Sequence, residues 1–451
     1  MIMAFLFFML PACGIFKPNK QGRPAVQEPV QEEVTRVRVY NPSSGQYELV
    51  PESEVRVDTV RLRDVTRSSA PPITEAAPVR EGEMKEFYTM SLLMPFNAIR
   101  YQRISDPVDA RGRRFIQYYA GARLAVDDLM REGYRIDLNV FDTEESNAKM
   151  ESLLDKPEVR GSDQVVGGYR RSNIEAMARI SAKRNKAVVS PWIPGFDTGT
   201  PAPGLVQVMP GLEAHAGAIC AYIRRAHADA RVFLVGRDTD AEMNRLEMFY
   251  DASLASGMIP DSVDYLLIRD QTSDLKETDW STIFGEEDED GERTVVPGKA
   301  VFIIPYYTRS DEGFVNSVLR KIHAERWEKE VVVFGLPQWL GFTNLNYDYL
   351  ESLRLHLSTI SFTDRTHPKY ASFQDRFFDR YGIVPEDPAF QGYDLVYSFG
   401  KELHDHGTEF LREMTGQFTA GINLGFQLEP LYPSTGPDRP AREKPTYIEN
   451  R

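Results

Sequence analysis

From Phe87 onward, short apolar runs alternate with longer stretches whose apolar residues recur at helical spacing, and this rhythm restricts the fold more than any other feature. "FYTMSLLMPF" predicts a buried strand, and "ARGRRFIQYYAGARLAVDDLMREG" a long amphipathic helix stopped by Gly133. "YRIDLNVFDT" with "SNAKMESLLDK", then "SDQVVGG" with "SNIEAMARISAKRN", repeat the pair, and the strand "KAVVSPW" follows. Strands alternating with helices of roughly 10–20 residues form βαβ units around a parallel sheet covered on both faces.

"LVQVMP" leads into a second such series: a helix over 211–229, the strand "RVFLVG", a helix over 240–256 and the strand "VDYLLIRD". After a break at 271–298 come the strand "KAVFIIP", the helix "SDEGFVNSVLRKIHAER" and the strands "EVVVFG" and "LRLHLSTIS". The tail returns to helices, "PKYASFQDRFFDRYG" and "DPAFQGYDLVYSFGKELHDHG", so the chain crosses between lobes more than once. The expected fold class is α/β, with two doubly wound Rossmann-like lobes and a hinge. The acidic run "GEEDEDGE" in the break reads as a solvated loop, because the alternation and glycine of a calcium loop are missing.

The chain begins differently. Ile2 to Pro11 is apolar but shorter than the ~20 residues that span a bilayer. It fits the apolar core of a secretory signal. Leu10-Pro11-Ala12-Cys13-Gly14 then resembles a bacterial lipobox, with Cys13 as the lipid attachment site. Two features depart from that pattern: Pro11 is unusual at its position, and no Lys or Arg precedes the apolar run. The competing reading is an N-terminal buried helix. Residues 14–86 are rich in Pro, Glu, Gln and Ser and read as a disordered tether. Within it "EVTRVRVYNPSSGQYELVPESEVRVDTVRLRD" alternates around an Asn-Pro-Ser-Ser-Gly turn; an extended linker is preferred to a hairpin, since an isolated hairpin is barely stable. The other cysteine, Cys220, lies on a helical apolar face and reads as a buried structural thiol.

A formal charge of −14 without a basic stripe argues against a nucleic-acid partner. Catalysis is not expected either. No Gly-Xaa-Ser-Xaa-Gly elbow, phosphate-cradling loop or zinc-spaced His pair occurs, and the histidines of "HDH" at 404–406 do not share a helical face. Neither a metal nor a cofactor is expected.

Three stretches carry a family resemblance. "SLLMPF…GARLAVDDLMREG", "VVSPWIP" and "FFDRYGIVPEDPAFQGYDLV" resemble, in order and spacing, the type I periplasmic binding proteins, the branched-chain amino acid receptors of ABC importers. The resemblance covers the chain from about Phe87 to the end. It implies a first lobe over roughly 87–206 and 362–415, a second over 207–361 and 416–451, and a final strand beginning at "PTYIENR".

In open α/β sheets, ligands bind outside the carboxyl ends of the strands. That places Asn97, Tyr169 to Ser172, and Ser190 with Trp192 at a site in the first lobe. Asp238, Tyr306 with Tyr307, and Gln338 with Trp339 come from the second. The resemblance implies that a ligand carboxylate meets backbone N–H groups and hydroxyls in lobe 1, and its ammonium an acidic residue and a Tyr in lobe 2. Tyr306 matches that aromatic. Arg170 and Arg171, however, stand where small hydroxyl residues are usual, Trp192 and Pro194 are bulky, and "LPQWLG" lacks the acidic residue. The arginine pair either binds an anion at a helix start or is simply solvated. Trp192 and Trp339 either stack on a ring or pack the wall. The expected function is a lipid-anchored, periplasm-facing envelope protein that traps an amino-acid-like or other anionic solute for transport, with an ABC permease as partner, or for sensing. The alternative is an envelope scaffold that contacts cell-wall enzymes.

Overall fold

The structure is a computed structural model. It describes residues 36–41, 46–51 and 84–451, the last without 102, 104–105, 270–274, 293 and 433–444. Cys13 with its apolar leader and most of the tether lie outside the described residues. The chain divides into two compact units, Met1–Pro72 and Ile73–Arg451. In the first, β1 (Arg36–Asn41) pairs antiparallel with β2 (Gln46–Pro51), from Arg36 opposite Pro51 to Asn41 opposite Gln46. Over these two runs the strands pair antiparallel, as in the hairpin reading and not the extended-linker one.

The second unit contains both predicted series. The first runs β3 (Tyr88–Met94), α1 (Ala110–Arg131), β4 (Ile136–Asp142), α2 (Asn147–Leu154), α3 (Pro157–Gly161), β5 (Gln164–Val166), α4 (Arg171–Arg184), β6 (Ala187–Ser190) and β7 (Leu205–Gln207). Next come α5 (Leu212–Ala226), β8 (Arg231–Arg237), α6 (Asp240–Ala255), β9 (Val263–Ile268), α7 (Ser281–Phe284), β10 (Ala300–Ile303), α8 (Glu312–Glu325), β11 (Val331–Gly335), α9 (Tyr347–Ser352) and β12 (His356–Leu357). The tail forms α10 (Pro368–Tyr381), α11 (Asp387–His406), α12 (Phe410–Met414), β13 (Phe418–Ala420), β14 (Gly425–Leu431) and β15 (Tyr447–Asn450).

Strands β8 to β12 make one five-stranded parallel sheet, in the order β12-β11-β10-β8-β9. Its strands are continuous apolar runs because both faces are covered. Val232, Leu234, Val301 and Ile303 pack on one face, while Phe233, Val235 and Phe302 pack on the other.

The second sheet has eight strands, β13-β14-β15-β7-β6-β5-β3-β4, of which only the β13-β14-β15 pairings are antiparallel. On its main face Phe115, Tyr118, Ala122, Ala125 and Leu129 of α1 recur at helical spacing and meet Leu395, Phe399 and Leu403 of α11. The two helices touch backbone to backbone: a Cβ on Gly121 would overlap the Ala389 carbonyl, and one on Gly392 the Tyr118 carbonyl. These glycines lie in two of the three stretches that carry the family resemblance.

One boundary is corrected. The tail after 415, expected in the second lobe, joins the first. Asp394 on α11 accepts backbone N–H bonds from Ile422 (2.7 Å), Asn423 (2.7 Å) and Leu424 (2.8 Å), gripping the turn between β13 and β14. Phe426, Leu428 and Ile448 then enter the lobe 1 core, and β15 lies parallel to β7. Short, partly exposed tail strands do not carry enough apolar signal to name their sheet; the buried carboxylate and strand pairing do.

Candidate functional site

Among the described residues the chain crosses between the sheets twice. It leaves the carboxyl end of β7 at Gln207 and enters α5 at Leu212. It leaves the carboxyl end of β12 at Leu357 and returns to lobe 1, where the Phe362 N–H donates to the Asn423 carbonyl at 3.0 Å. Both crossings depart from carboxyl edges, so those edges of the two parallel sheets border the junction. Parallel sheets bind ligands at this edge.

In lobe 1 the loops there are tied together by one carboxylate. Asp142 ends β4; its Oδ1 accepts the N–H of Asn97 (3.1 Å) and of Glu144 (2.9 Å), and its Oδ2 that of Ala98 (2.8 Å). Three non-glycine residues of these loops, Asn97 (φ 54°), Glu144 (φ 51°) and Glu145 (φ 53°), are left-handed. Such a conformation is costly for a side-chain-bearing residue and persists only where the surroundings hold it. Here Asp142 holds it.

Glu145 is the electrostatic centre of this lobe. Arg111, at the start of α1, donates to both of its oxygens, at 3.1 and 3.3 Å. Arg170, ahead of α4, lies 3.8 Å away on Oε2. The hydrogen bond from Arg111 is the main reason the Glu145 carboxyl sits below its ordinary range; the Asn97 side chain and the charge of Arg100 add to it. Two guanidinium groups, Arg111 and Arg170, thus meet at one carboxylate, with the charge of Arg100 also acting on it. Arg171 takes a different course and lies over the Phe196 ring at 5.3 Å.

The other expected site residues of this lobe lie deeper. Ser190 is fully buried, its hydroxyl 3.5 Å from the Gly168 carbonyl. Trp192 packs edge-on against Phe115 (5.4 Å) and Tyr118 (5.1 Å) within the core. Tyr169 is half-buried, edge-on to Phe115 at 5.2 Å.

Lobe 2 encloses Tyr306 and Trp339. The Tyr306 hydroxyl donates to Glu242 Oε2 and accepts the Arg237 N–H at 3.0 Å. Burial first, then the Glu242 carboxylate, push its phenol far above the ordinary value. The Trp339 indole N–H donates to the Tyr306 carbonyl at 2.7 Å, and both rings belong to the lobe 2 core. What reaches the surface is Asp238, paired with Arg269 at 3.5 Å, together with Gln338 and Tyr307, the last with the Arg245 guanidinium 5.0 Å over its ring. The loops thus gather Asn97, Tyr169 and Arg170 in one lobe; Asp238 and Tyr307 are exposed in the other. Trp192, Tyr306 and Trp339 are buried.

Sequence reasoning missed Arg111, Glu145 and Asp142. Glu145 was within reach: candidates were taken after the first, third and fourth strands, and the same rule applied after β4 includes Thr143 to Ser146. Arg111 gave no such signal, because a helix-start arginine is ordinarily solvated. Elsewhere, Cys220 is buried, with its thiol pushed up to about 12 by desolvation. His404 packs against Tyr88 and Tyr134, while His406 pairs with Glu402 at 3.3 Å. Among the described residues no group of three His, Cys, Asp or Glu is placed to hold a metal, and no helix is long and apolar enough to cross a membrane.

No protein-family model and no curated protein matches the chain. Solved structures do. One, described as a "putative branched-chain amino acid ABC transporter" from Rhodospirillum rubrum, is similar over 74% of this chain and 91% of its own, at 16% identity and a TM-score of 0.50. An ABC-type branched-chain amino acid transporter from Rhodopseudomonas palustris covers 76% and 88%, at 11% identity and 0.49. Full-length LpoA from Haemophilus influenzae matches 77% of this chain but 55% of its own, at 13% identity and 0.47. The first of these supports the fold: two parallel-sheet lobes of the type I periplasmic binding protein kind.

Proposed function

We propose that this protein is an envelope solute-binding protein that traps a small anionic solute between its lobes, by hinge closure, for transport or sensing. The observation that carries the reading is the arrangement of Arg111 and Arg170 about Glu145 on strained loops held by Asp142. A carboxylate or phosphate entering there meets guanidinium groups already oriented by one acidic partner. A zwitterionic amino acid is less well matched, because the lobe 2 candidates for its ammonium are committed: Tyr306 to Glu242, and Asp238 to Arg269. The bare fold is shared with receptors of ABC importers, so an ABC permease is the partner that this reading implies.

The test is a thermal-shift and calorimetric screen against amino acids, other carboxylates, phosphates, peptides and sugars. A saturable rise in melting temperature for an anion, lost in Arg111→Ala and weakened in Arg170→Ala, supports the receptor. No hit across the panel, or a hit indifferent to both substitutions, overturns it.

A scaffold contacting cell-wall synthesis enzymes is the second reading. What favours it is the burial of Trp192, Tyr306 and Trp339, which removes the aromatic side chains a ligand would stack on. The address in the envelope rests on Leu10-Pro11-Ala12-Cys13 in the sequence. On this reading Cys13→Ser abolishes lipid labelling and releases the protein from membranes; unchanged retention refutes the anchor.

A further inference from the structure

A cavity of about 310 Å³ lies at the lobe junction, bounded by α5, the end of β11 and the segment from His356 to Thr359. Its walls come from every part of the chain that must adjust when the lobes rotate. Pro210 belongs to the first crossing, Ser358 and Thr359 to the second, and Arg451, just past β15, to lobe 1. The remainder, including Ile219, Tyr222 and Phe334, is lobe 2.

Its chemistry is specific. Three rings cluster on the wall: Phe334 stacks on His356 at 5.0 Å, and Tyr222 lies 5.6 Å from His356 and 5.9 Å from Phe334. Little free charge is present. Burial lowers the affinity of His215 for a proton, and Arg451 is surrounded by Glu449 (2.9 Å), Glu213 (3.6 Å) and Glu429 (3.7 Å). The Ser358 hydroxyl is buried away from this space and offers it no hydrogen bond.

We infer that this cavity is a second binding site, distinct from the loops about Glu145, for a small uncharged aromatic molecule, and that its occupancy biases the angle between the lobes. Aromatic walls select a ring, and the three carboxylates about Arg451 disfavour an anion. The volume lies at the lower end of ligand pockets, roughly 300 Å³ upward, which suits one ring. Because the walls span both crossings, the contacts differ between lobe orientations, and differential contact is what allows a ligand to shift a conformational equilibrium.

The test uses the full chain and p-cresol, an uncharged hydroxylated ring. A saturable rise in melting temperature is expected. Ala218→Leu, at an exposed α5 position on the cavity wall, should abolish it without changing the melting temperature of the ligand-free protein; Ala214→Leu serves if Ala218→Leu is itself destabilised. Arg111→Ala should leave binding unchanged, which separates this site from the proposed function. Small-angle scattering should show a changed radius of gyration at saturation. No saturable shift up to the solubility limit of p-cresol, or a shift retained in both leucine variants, overturns the site. An unchanged radius of gyration at saturation overturns its coupling to the hinge.

Discussion

The Arg111 guanidinium holds both oxygens of Glu145, at 3.1 and 3.3 Å, and so joins the start of α1 to the left-handed turn after β4. Arg170 shares the same carboxylate from the start of α4. One acidic side chain thereby sets the position of two cations that come from separate βα units.

Removing that charge while keeping its shape should favour an anion. In Glu145→Gln the guanidinium groups lose their competitor, and the anionic ligand found by screening should bind several-fold tighter by calorimetry. Arg111→Ala should weaken the same ligand at least tenfold. Weaker binding in Glu145→Gln would show that the carboxylate, rather than the arginines, faces the ligand.

Asp142→Ala should act on both stability and binding. It strips three backbone N–H groups of their acceptor at two strained loops. A loss of about 1–3 kcal/mol in urea unfolding is expected, together with weaker ligand binding because Asn97 and Glu145 are no longer held. Unaltered stability would place the strain elsewhere.

Tyr306→Phe separates a core tyrosine from a ligand-binding one. The hydroxyl is spent on Glu242 and the Arg237 N–H, so its loss should destabilise lobe 2 by about 1–3 kcal/mol and leave ligand affinity unchanged. A large loss of affinity with intact stability would restore the role that the family resemblance implies for it.

Asp394 should leave a mark on the pH dependence of stability. Burial outweighs its three N–H donors and pushes the carboxyl up to about 6 from an ordinary 3.8. The native state then holds a proton that the unfolded chain has released, so this group's contribution falls as pH rises from about 4 to 6 and is level on either side. The difference amounts to roughly 3 kcal/mol at 1.36 kcal/mol per unit. Urea midpoints of the wild type and Asp394→Asn, compared across that range, should diverge as pH rises; parallel curves would put the carboxyl back at its ordinary value.

How far the sequence reached can be argued from particular residues. Apolar runs such as "VVVFG" and helical spacing such as Phe115, Tyr118, Ala122 and Ala125 fix element type locally, because period and composition are properties of neighbours in the chain. The strand order and carboxyl-edge rule then led to Asn97, Tyr169 and Arg170 without coordinates. The same reading set Tyr306 and Trp339 at the site, since a residue one or two places past a strand can turn outward or back into the core. Nothing local decides which.

The sequence by itself thus determined two α/β lobes and the edge where a ligand would sit. Only the tertiary structure decided that the tail belongs to lobe 1, that Arg111, Arg170 and Glu145 meet, and that Trp192, Tyr306 and Trp339 are buried. The physical reason is range. Backbone preference and hydrophobic period act over a few residues, whereas a buried carboxylate such as Asp394, or a shared one such as Glu145, draws its partners from segments tens of residues away.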